Sequence, residues 1–191
     1  TAAEAAPEAQ VTLLERGPQV LAKVRISGGG RCNVTHDCFD SREFAARYPR
    51  GGQALIGPFQ RFQARDTVAW FAARGVKLKT ERDGRMFPVT DDSATIVDCL
   101  TSAAQRAGVV VKTNCGVESV VRTTARFELV LTGGGKLAAE RLLLATGGCR
   151  AALAGQLAAA LGHTIEPPVP SLFTLQIGLP WLNELAGASV D

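Results

Sequence analysis

Three successive glycines constrain this chain more than any other feature of its sequence. They lie in the run Ile26-Ser-Gly-Gly-Gly-Arg-Cys-Asn-Val-Thr35. Because glycine has no Cβ atom, Gly28 to Gly30 can adopt positive φ angles and let main-chain N–H groups approach an anion. Arg31 adds a charged fork and Asn33 a neutral donor. The run therefore predicts a loop against a phosphate or a flat cofactor; the alternative is a flexible glycine turn.

A short apolar run upstream of the glycines predicts a strand. Val11-Thr-Leu-Leu-Glu15 is rich in strand-forming residues and ends on an acidic side chain. In dinucleotide-binding folds, an acid at the end of the second strand accepts hydrogen bonds from the adenosine ribose hydroxyls. Glu15 is placed for that role. The alternative is a surface glutamate that closes the strand.

The composition predicts a globular protein. The 191 residues are 46% hydrophobic and 20% charged, which is enough to bury the core of one domain, or of one domain with a piece of another. No apolar run approaches the ~20 residues that a membrane helix needs, and the first residues lack the profile of a signal peptide. We therefore expect a cytoplasmic protein without a membrane partner.

The charged and thiol side chains predict neither a nucleic-acid partner nor a metal site. The formal net charge is +3, and the basic residues between positions 42 and 82 are scattered without an aromatic-interleaved stripe. The five cysteines form no CxxC pair and have no histidine at metal-ligand spacing, which predicts free thiols. They are Cys32, Cys38, Cys99, Cys115 and Cys149. Cys32 fits a redox thiol or, more simply, a buried one.

Alternating helix and strand signals predict an α/β fold. Asp66 is expected to cap a helix that stops at Gly75, and Ser93 a second helix that stops at Gly108. Val109 to Lys112 then forms a β-branched run, which is typical of a buried parallel strand after its crossover helix.

A change of period after this strand predicts an antiparallel meander. Its three short segments are Val117 to Arg122, Phe127 to Leu131 and Lys136 to Ala139. Leu142 to Ala145 returns to an apolar strand, which we expect in one parallel sheet with the two earlier buried strands. Ala151 to Leu161 is predicted helical, and the proline cluster after it predicts a linker.

The order of these segments resembles a known family. The motifs are VTLLE, KVRISGGGRCNVT, DGRMFPVTDDSATIV, LLLATGG and LGHTIEPPVPSLFTL. Together they are similar to the YhiN/BaiN-type FAD-dependent oxidoreductases, also called the aminoacetone oxidase family, and SGGGRCNVT is the most specific. The resemblance implies a Rossmann-like FAD-binding domain over residues 1–168, with a parallel sheet and an inserted three-stranded β-meander. Residues 169–191 would start a second, β-rich domain, whose first strand would be Ser171 to Ile177.

The resemblance also implies which residues hold FAD. Glu15 would hold the adenosine ribose, and Lys23 would lie along the adenine or diphosphate. The loop from Ser27 to Asn33 would pass the diphosphate, and the backbone of Val117 would meet the adenine. The full set is Glu15, Lys23, Ser27, Gly28, Gly29, Gly30, Arg31, Cys32, Asn33, Val117, Ala145, Thr146, Gly147 and Gly148. Taken singly, these residues also fit a solvated lysine, a core valine and an ordinary strand exit.

The activity implied by the resemblance is two-electron transfer through bound FAD, with NAD(P)H as a possible electron donor and a small molecule of unknown identity as substrate. No residue is assigned as catalytic acid or base. Two alternatives stay open. One is a flavoprotein that binds or modifies RNA, and the other is a nucleotide-binding scaffold without redox activity.

Two of the departures of the chain from the family pattern concern segments that are missing within the matched region. It lacks an opening strand with a GxGxxG turn, and Cys149-Arg150 runs directly into Ala151 where the family has a longer loop. Either the chain is a fragment, or its sequence contains only ordered residues closed up across gaps. We favour the second explanation, which predicts a chain break between Arg150 and Ala151.

Overall fold

In the computed structural model, which describes residues 2–147, 152–167 and 169, the chain divides into two units. The first runs from Thr1 to Val117 and the second from Glu118 to Asp191. The elements of the first are α1 (Ala2–Ala5), β1 (Thr12–Leu14), α2 (Ala22–Ile26), β2 (Thr35–His36), α3 (Ser41–Ala46), α4 (Gly52–Arg61), α5 (Ala64–Ala72), β3 (Leu78–Thr80), β4 (Arg85–Pro88), α6 (Ser93–Arg106) and β5 (Val110–Lys112). Within the described residues, no helix is long and apolar enough to cross a membrane.

The parallel sheet contains two of the three strands predicted for it. β1 pairs in parallel with β5, so that Thr12 lies opposite Val110. The expected third strand, Leu142 to Ala145, is wrong: these residues lie outside any strand, and Leu143 is 84% exposed. An apolar run forms a strand only when another backbone supplies its hydrogen-bond partners. The run therefore has the composition of a strand, but its composition does not supply a strand to pair with.

A second sheet in the first unit has the order β2-β4-β3 and is antiparallel. Its β3–β4 hairpin turns through Asp83-Gly84, a dipeptide that favours tight hairpins. Met86, Phe87 and Pro88 of β4 are buried. This strand therefore forms one wall of the core beneath the glycine run.

The two predicted helices are present, but both predicted caps are displaced. α5 has Gln63 at its N-cap, and Asp66 lies three residues on, where its Oδ2 accepts a 2.8 Å hydrogen bond from the Gln63 N–H. α6 has Asp92 at its N-cap, with Oδ1 accepting from the Ala94 N–H at 2.8 Å. Ser93 is instead a buried first-turn residue whose hydroxyl donates to the Arg25 carbonyl at 2.9 Å. This bond ties α6 to α2, directly before the glycine run.

The predicted meander is present with the predicted bounds, and from Glu118 onwards it belongs to the second unit. Its strands are β6 (Val117–Arg122), β7 (Phe127–Leu131) and β8 (Lys136–Ala139), in the order β6-β7-β8, followed by α7 (Ala152–Ala160). β7 and β8 are antiparallel, with Phe127 opposite Ala139. The Arg150–Ala151 junction and the strand expected over Ser171 to Ile177 lie outside the described residues.

Candidate functional site

The glycine run forms a tight left-handed loop directly after α2. Gly28, Gly29 and Gly30 have φ angles of +56°, +68° and +87°, as the sequence predicted. The Cys32 N–H closes the loop by donating to the Ser27 carbonyl at 2.9 Å. Because consecutive left-handed residues are essentially restricted to glycine, this backbone requires glycine at positions 28 to 30.

The glycines serve the loop in different ways. A Cβ atom on Gly28 would lie 2.7 Å from Cε1 of Phe87 and 2.9 Å from the amide nitrogen of Asn33. A Cβ atom on Gly29 would meet nothing within 4 Å. Gly28 therefore allows the loop to pack against β4, whereas Gly29 lies on the open side. That open side is where another molecule has room to approach the main chain.

Arg31 turns towards carboxylates of the β3–β4 region. Its Nη1 lies 2.5 Å from Oε1 of Glu81 and 3.5 Å from Oδ1 of Asp91, and the hydrogen bond with Glu81 raises the pKa of Arg31. The guanidinium also stacks on Phe87, 4.0 Å from the ring centroid. Asp91 in turn pairs with Lys79, and that hydrogen bond lowers the pKa of Asp91. In this arrangement Arg31 fastens the loop to its neighbouring strands.

Cys32 is a buried thiol in a strained backbone position. It is 5% exposed and has a φ of +63°. Burial raises the pKa of the Cys32 thiol, so the reactive thiolate is disfavoured. The four described cysteines are free thiols, as predicted, while Cys149 lies outside the described residues. The structure thus favours the buried-thiol interpretation of Cys32 over the redox one.

Glu15 lies at the carboxyl ends of the two parallel strands. Its N–H donates to the Lys112 carbonyl at 2.9 Å, and its own carbonyl accepts from the Cys115 N–H at 2.8 Å. The side-chain Oε1 accepts from the Gly17 N–H at 2.7 Å, which holds the carboxylate in one orientation. Ligands of open α/β sheets bind outside the carboxyl ends of the strands, and Glu15 has that position.

The structure places the remaining predicted residues in several locations. Lys23 is exposed on α2, and Asn33 is exposed at the end of the glycine loop. Val117 begins β6, two residues beyond the contact between Cys115 and Glu15. In the second unit, Ala145 to Gly147 are exposed and lie outside any strand, and Gly148 lies outside the described residues.

A cleft beside the glycine loop was not predicted. It has a volume of about 390 Å³, and its lining includes residues 33–36 and aromatic side chains of the α3–α4 region. The ring centroids of Phe44 and Phe59 are 4.8 Å apart, and those of Tyr48 and Phe59 are 5.7 Å apart. Asn33 belongs both to the loop and to the cleft wall. This shared residue joins the two features.

Some sequence signals for these features were available. The Asp83-Gly84 dipeptide predicts the hairpin that carries Glu81, one of the partners of Arg31. The same hairpin holds His36, whose Nε2 lies 3.0 Å from the Asp83 carbonyl oxygen. No comparable signal predicts that Arg31 pairs with Glu81, because the two residues are 50 positions apart.

Comparison with known proteins identifies one family. The profile described as HI0933-like protein Rossmann domain matches residues 1–174. Among solved structures, THI4 of Thermovibrio ammonificans is similar with a TM-score of 0.51 and 14% identity, over 85% of this chain and 56% of that one. At that identity the likeness concerns the fold alone.

Three curated relatives match almost the whole chain. A 3-dehydro-bile acid delta(4,6)-reductase of Clostridium scindens is 28% identical over 100% of this chain and 47% of the relative. A ribosomal RNA dihydrouridine synthase of Escherichia coli is 28% identical over 95% of this chain and 46% of the relative. A protein of the same name from Haemophilus influenzae is 25% identical over 94% of this chain and 47% of the relative. The chain thus spans about half the length of the curated relatives it matches.

Proposed function

Because the chain belongs to the HI0933-like Rossmann-domain family, we propose that it binds FAD as part of an oxidoreductase that transfers two electrons. The observation that carries the proposal is the glycine loop, whose main chain is packed on the Gly28 side and open on the Gly29 side. Such a loop fits a diphosphate, which needs close approach to backbone N–H groups. Glu15 supports the same assignment, since its carboxylate is held at the carboxyl end of β1 by the Gly17 N–H.

The residues of this chain bind and orient the cofactor in this proposal. When bound, FAD supplies the exchange of two electrons with a donor and an acceptor. Glu15 accepts hydrogen bonds from the ribose hydroxyls, and the loop from Ser27 to Asn33 lies along the diphosphate. Arg31 is a positioning residue, because its ion pair with Glu81 and its contact with Phe87 hold the loop in place.

We further propose a class of acceptor. The names of the relatives describe a reductase of a 3-dehydro-bile acid at positions 4 and 6, and synthases of dihydrouridine. In both cases a ring C=C bond conjugated with a carbonyl group gains a hydride and a proton. We propose the same acceptor class for this protein, with NADH or NADPH as the source of the hydride.

Anaerobic reduction of the reconstituted protein tests the proposal. Apo protein is titrated with FAD, and the complex is then mixed with NADH or NADPH while the visible flavin absorbance is followed. We expect FAD to bind and one of the two donors to bleach it. A 3-oxo-Δ4 steroid or an oligouridylate should then restore the absorbance. Absence of FAD binding would refute the proposal, and bound FAD that neither donor reduces would favour a scaffold without redox activity.

A further inference from the structure

The cleft beside Asn33 presents exposed aromatic rings. Tyr48 is 43% exposed and Phe62 is 52% exposed, although both line the cleft. Tyr48 packs edge to face with Phe44 and at a tilt with Phe59, with ring centroids 6.0 Å and 5.7 Å away. An exposed ring that rests on other rings offers a rigid flat surface on which a planar group can stack.

The lining of the cleft also includes polar side chains. They are Asn33, Thr35, Gln63 and Thr67. Amide and hydroxyl groups donate and accept hydrogen bonds, as the edge of a nucleobase requires. The cleft therefore combines a stacking surface with a hydrogen-bonding edge.

The segment that forms the aromatic side of the cleft is positively charged. Residues 41–67 contain five arginines against two carboxylates, a net charge of +3 that equals the formal charge of the whole chain. These arginines are all exposed: Arg42, Arg47, Arg50, Arg61 and Arg65. In this segment basic and aromatic residues do alternate, contrary to the interpretation of the sequence as a whole. The sequence analysis missed this pattern because it considered the basic residues of positions 42 to 82 together.

We propose that this cleft binds an unpaired base of single-stranded RNA, which stacks on Tyr48 and Phe62 while neighbouring phosphates pair with the arginines of residues 41–67. Base stacking on aromatic rings together with a basic surround is the usual composition of single-strand binding sites. A small apolar ring would use the same aromatic surface but leave the arginines without a role. The inference deepens the proposed function and rests on it for one point, that Asn33 lies along the cofactor.

Fluorescence anisotropy with a short fluorescein-labelled oligouridylate tests the proposal. We expect Phe62→Ala and Tyr48→Ala each to weaken binding by at least about fivefold, since base–aromatic stacking has that magnitude. The conservative Tyr48→Phe keeps the ring and should retain binding. Val89→Ala is the matched control, because Val89 is also 52% exposed but does not line the cleft.

The arginines are tested by the salt dependence of the same binding. Arg47→Gln and Arg61→Gln should each reduce the slope of log affinity against log salt by about 0.7 for every phosphate that the side chain no longer neutralises. Arg82→Gln is the control, since Arg82 is exposed in the β3–β4 turn, outside the charged segment. Circular dichroism of each variant shows whether it remains folded.

Three results would overturn the inference: equal affinity of the wild type and the Phe62→Ala variant, duplex RNA that competes as well as single-stranded RNA, or a 3-oxo-Δ4 steroid that binds at Tyr48 and Phe62 while RNA does not. FAD titration of the same variants separates this inference from the proposed function. Loss of RNA binding with unchanged FAD affinity supports the cleft assignment. RNA binding by a protein that takes up no FAD would leave the cleft assignment intact and refute the proposed function.

Discussion

Replacement of Gly28 by alanine tests the account of the glycine loop most directly. The added Cβ atom would lie 2.7 Å from Cε1 of Phe87, at a φ of +56°. Phe87 has an exposed fraction of 0%, and because protein interiors are closely packed, its ring can move only if its neighbours repack. The left-handed conformation costs a residue with a Cβ about 1–2 kcal/mol, and forced repacking of a core costs about 1–3 kcal/mol. We therefore expect the free energy of unfolding to fall by about 2–5 kcal/mol.

Gly29→Ala is the control for this variant. Gly29 has a similar φ of +68°, but a Cβ atom there would meet nothing within 4 Å. Only the conformational cost of about 1–2 kcal/mol should appear. Urea denaturation followed by circular dichroism measures both variants, and their midpoints are comparable if the slopes agree. Equal losses of stability would refute the conclusion that Gly28 is required for packing against Phe87.

Two further predictions concern carboxylates. Glu15→Ala should weaken FAD binding about ten- to a hundredfold, because it removes a charge-assisted hydrogen bond worth about 1.5–3 kcal/mol. Glu15→Gln should weaken FAD binding less. Equal FAD affinities of the wild type and Glu15→Ala, measured by titration, would contradict the ribose assignment. Hydrogen bonds from the Glu43 and Arg42 amides lower the pKa of Asp40 from its ordinary value of 3.8, so its stabilising effect is present above that value and is lost as the pH falls through the folded-state pKa. Asp40→Asn should make the urea midpoint less sensitive to pH in this range, and an unchanged pH profile would contradict the capping role of the charge.

Local patterns predicted the local structure well. The three meander strands have the predicted bounds, because their period-two alternation and intervening turns are contained in a short stretch. The positive φ angles of Gly28 to Gly30 follow from the glycine residues themselves. The family resemblance, which rests on the same motifs, is confirmed by the match over residues 1–174.

Features that depend on distant partners could not be predicted in this way. Leu142 to Ala145 has the composition of a strand, but no described strand pairs with it. Ser93 resembles an N-cap, yet its hydroxyl donates to the Arg25 carbonyl, 68 positions away. Arg31 was expected to face an anion. It pairs instead with Glu81, which lies in a hairpin about 50 positions later in the sequence. In each case a contact with residues distant in the sequence, and not a local preference, decides the structure: it decides whether the apolar run pairs as a strand, and which partner Ser93 and Arg31 have.

The parallel pairing of β1 with β5 has a consequence for the order of folding. Thr12, near the start of the first unit, pairs with Val110, near its end. The β3–β4 hairpin instead joins residues that are near neighbours in sequence. Pairings between distant strands form late, because a long loop must close before they contribute any stability. The Glu15 N–H donates a hydrogen bond to the Lys112 carbonyl, so the backbone of Glu15 is fixed only after this long loop has closed. A ribosome must therefore synthesise β5 before the carboxylate at the end of β1 can be set in place.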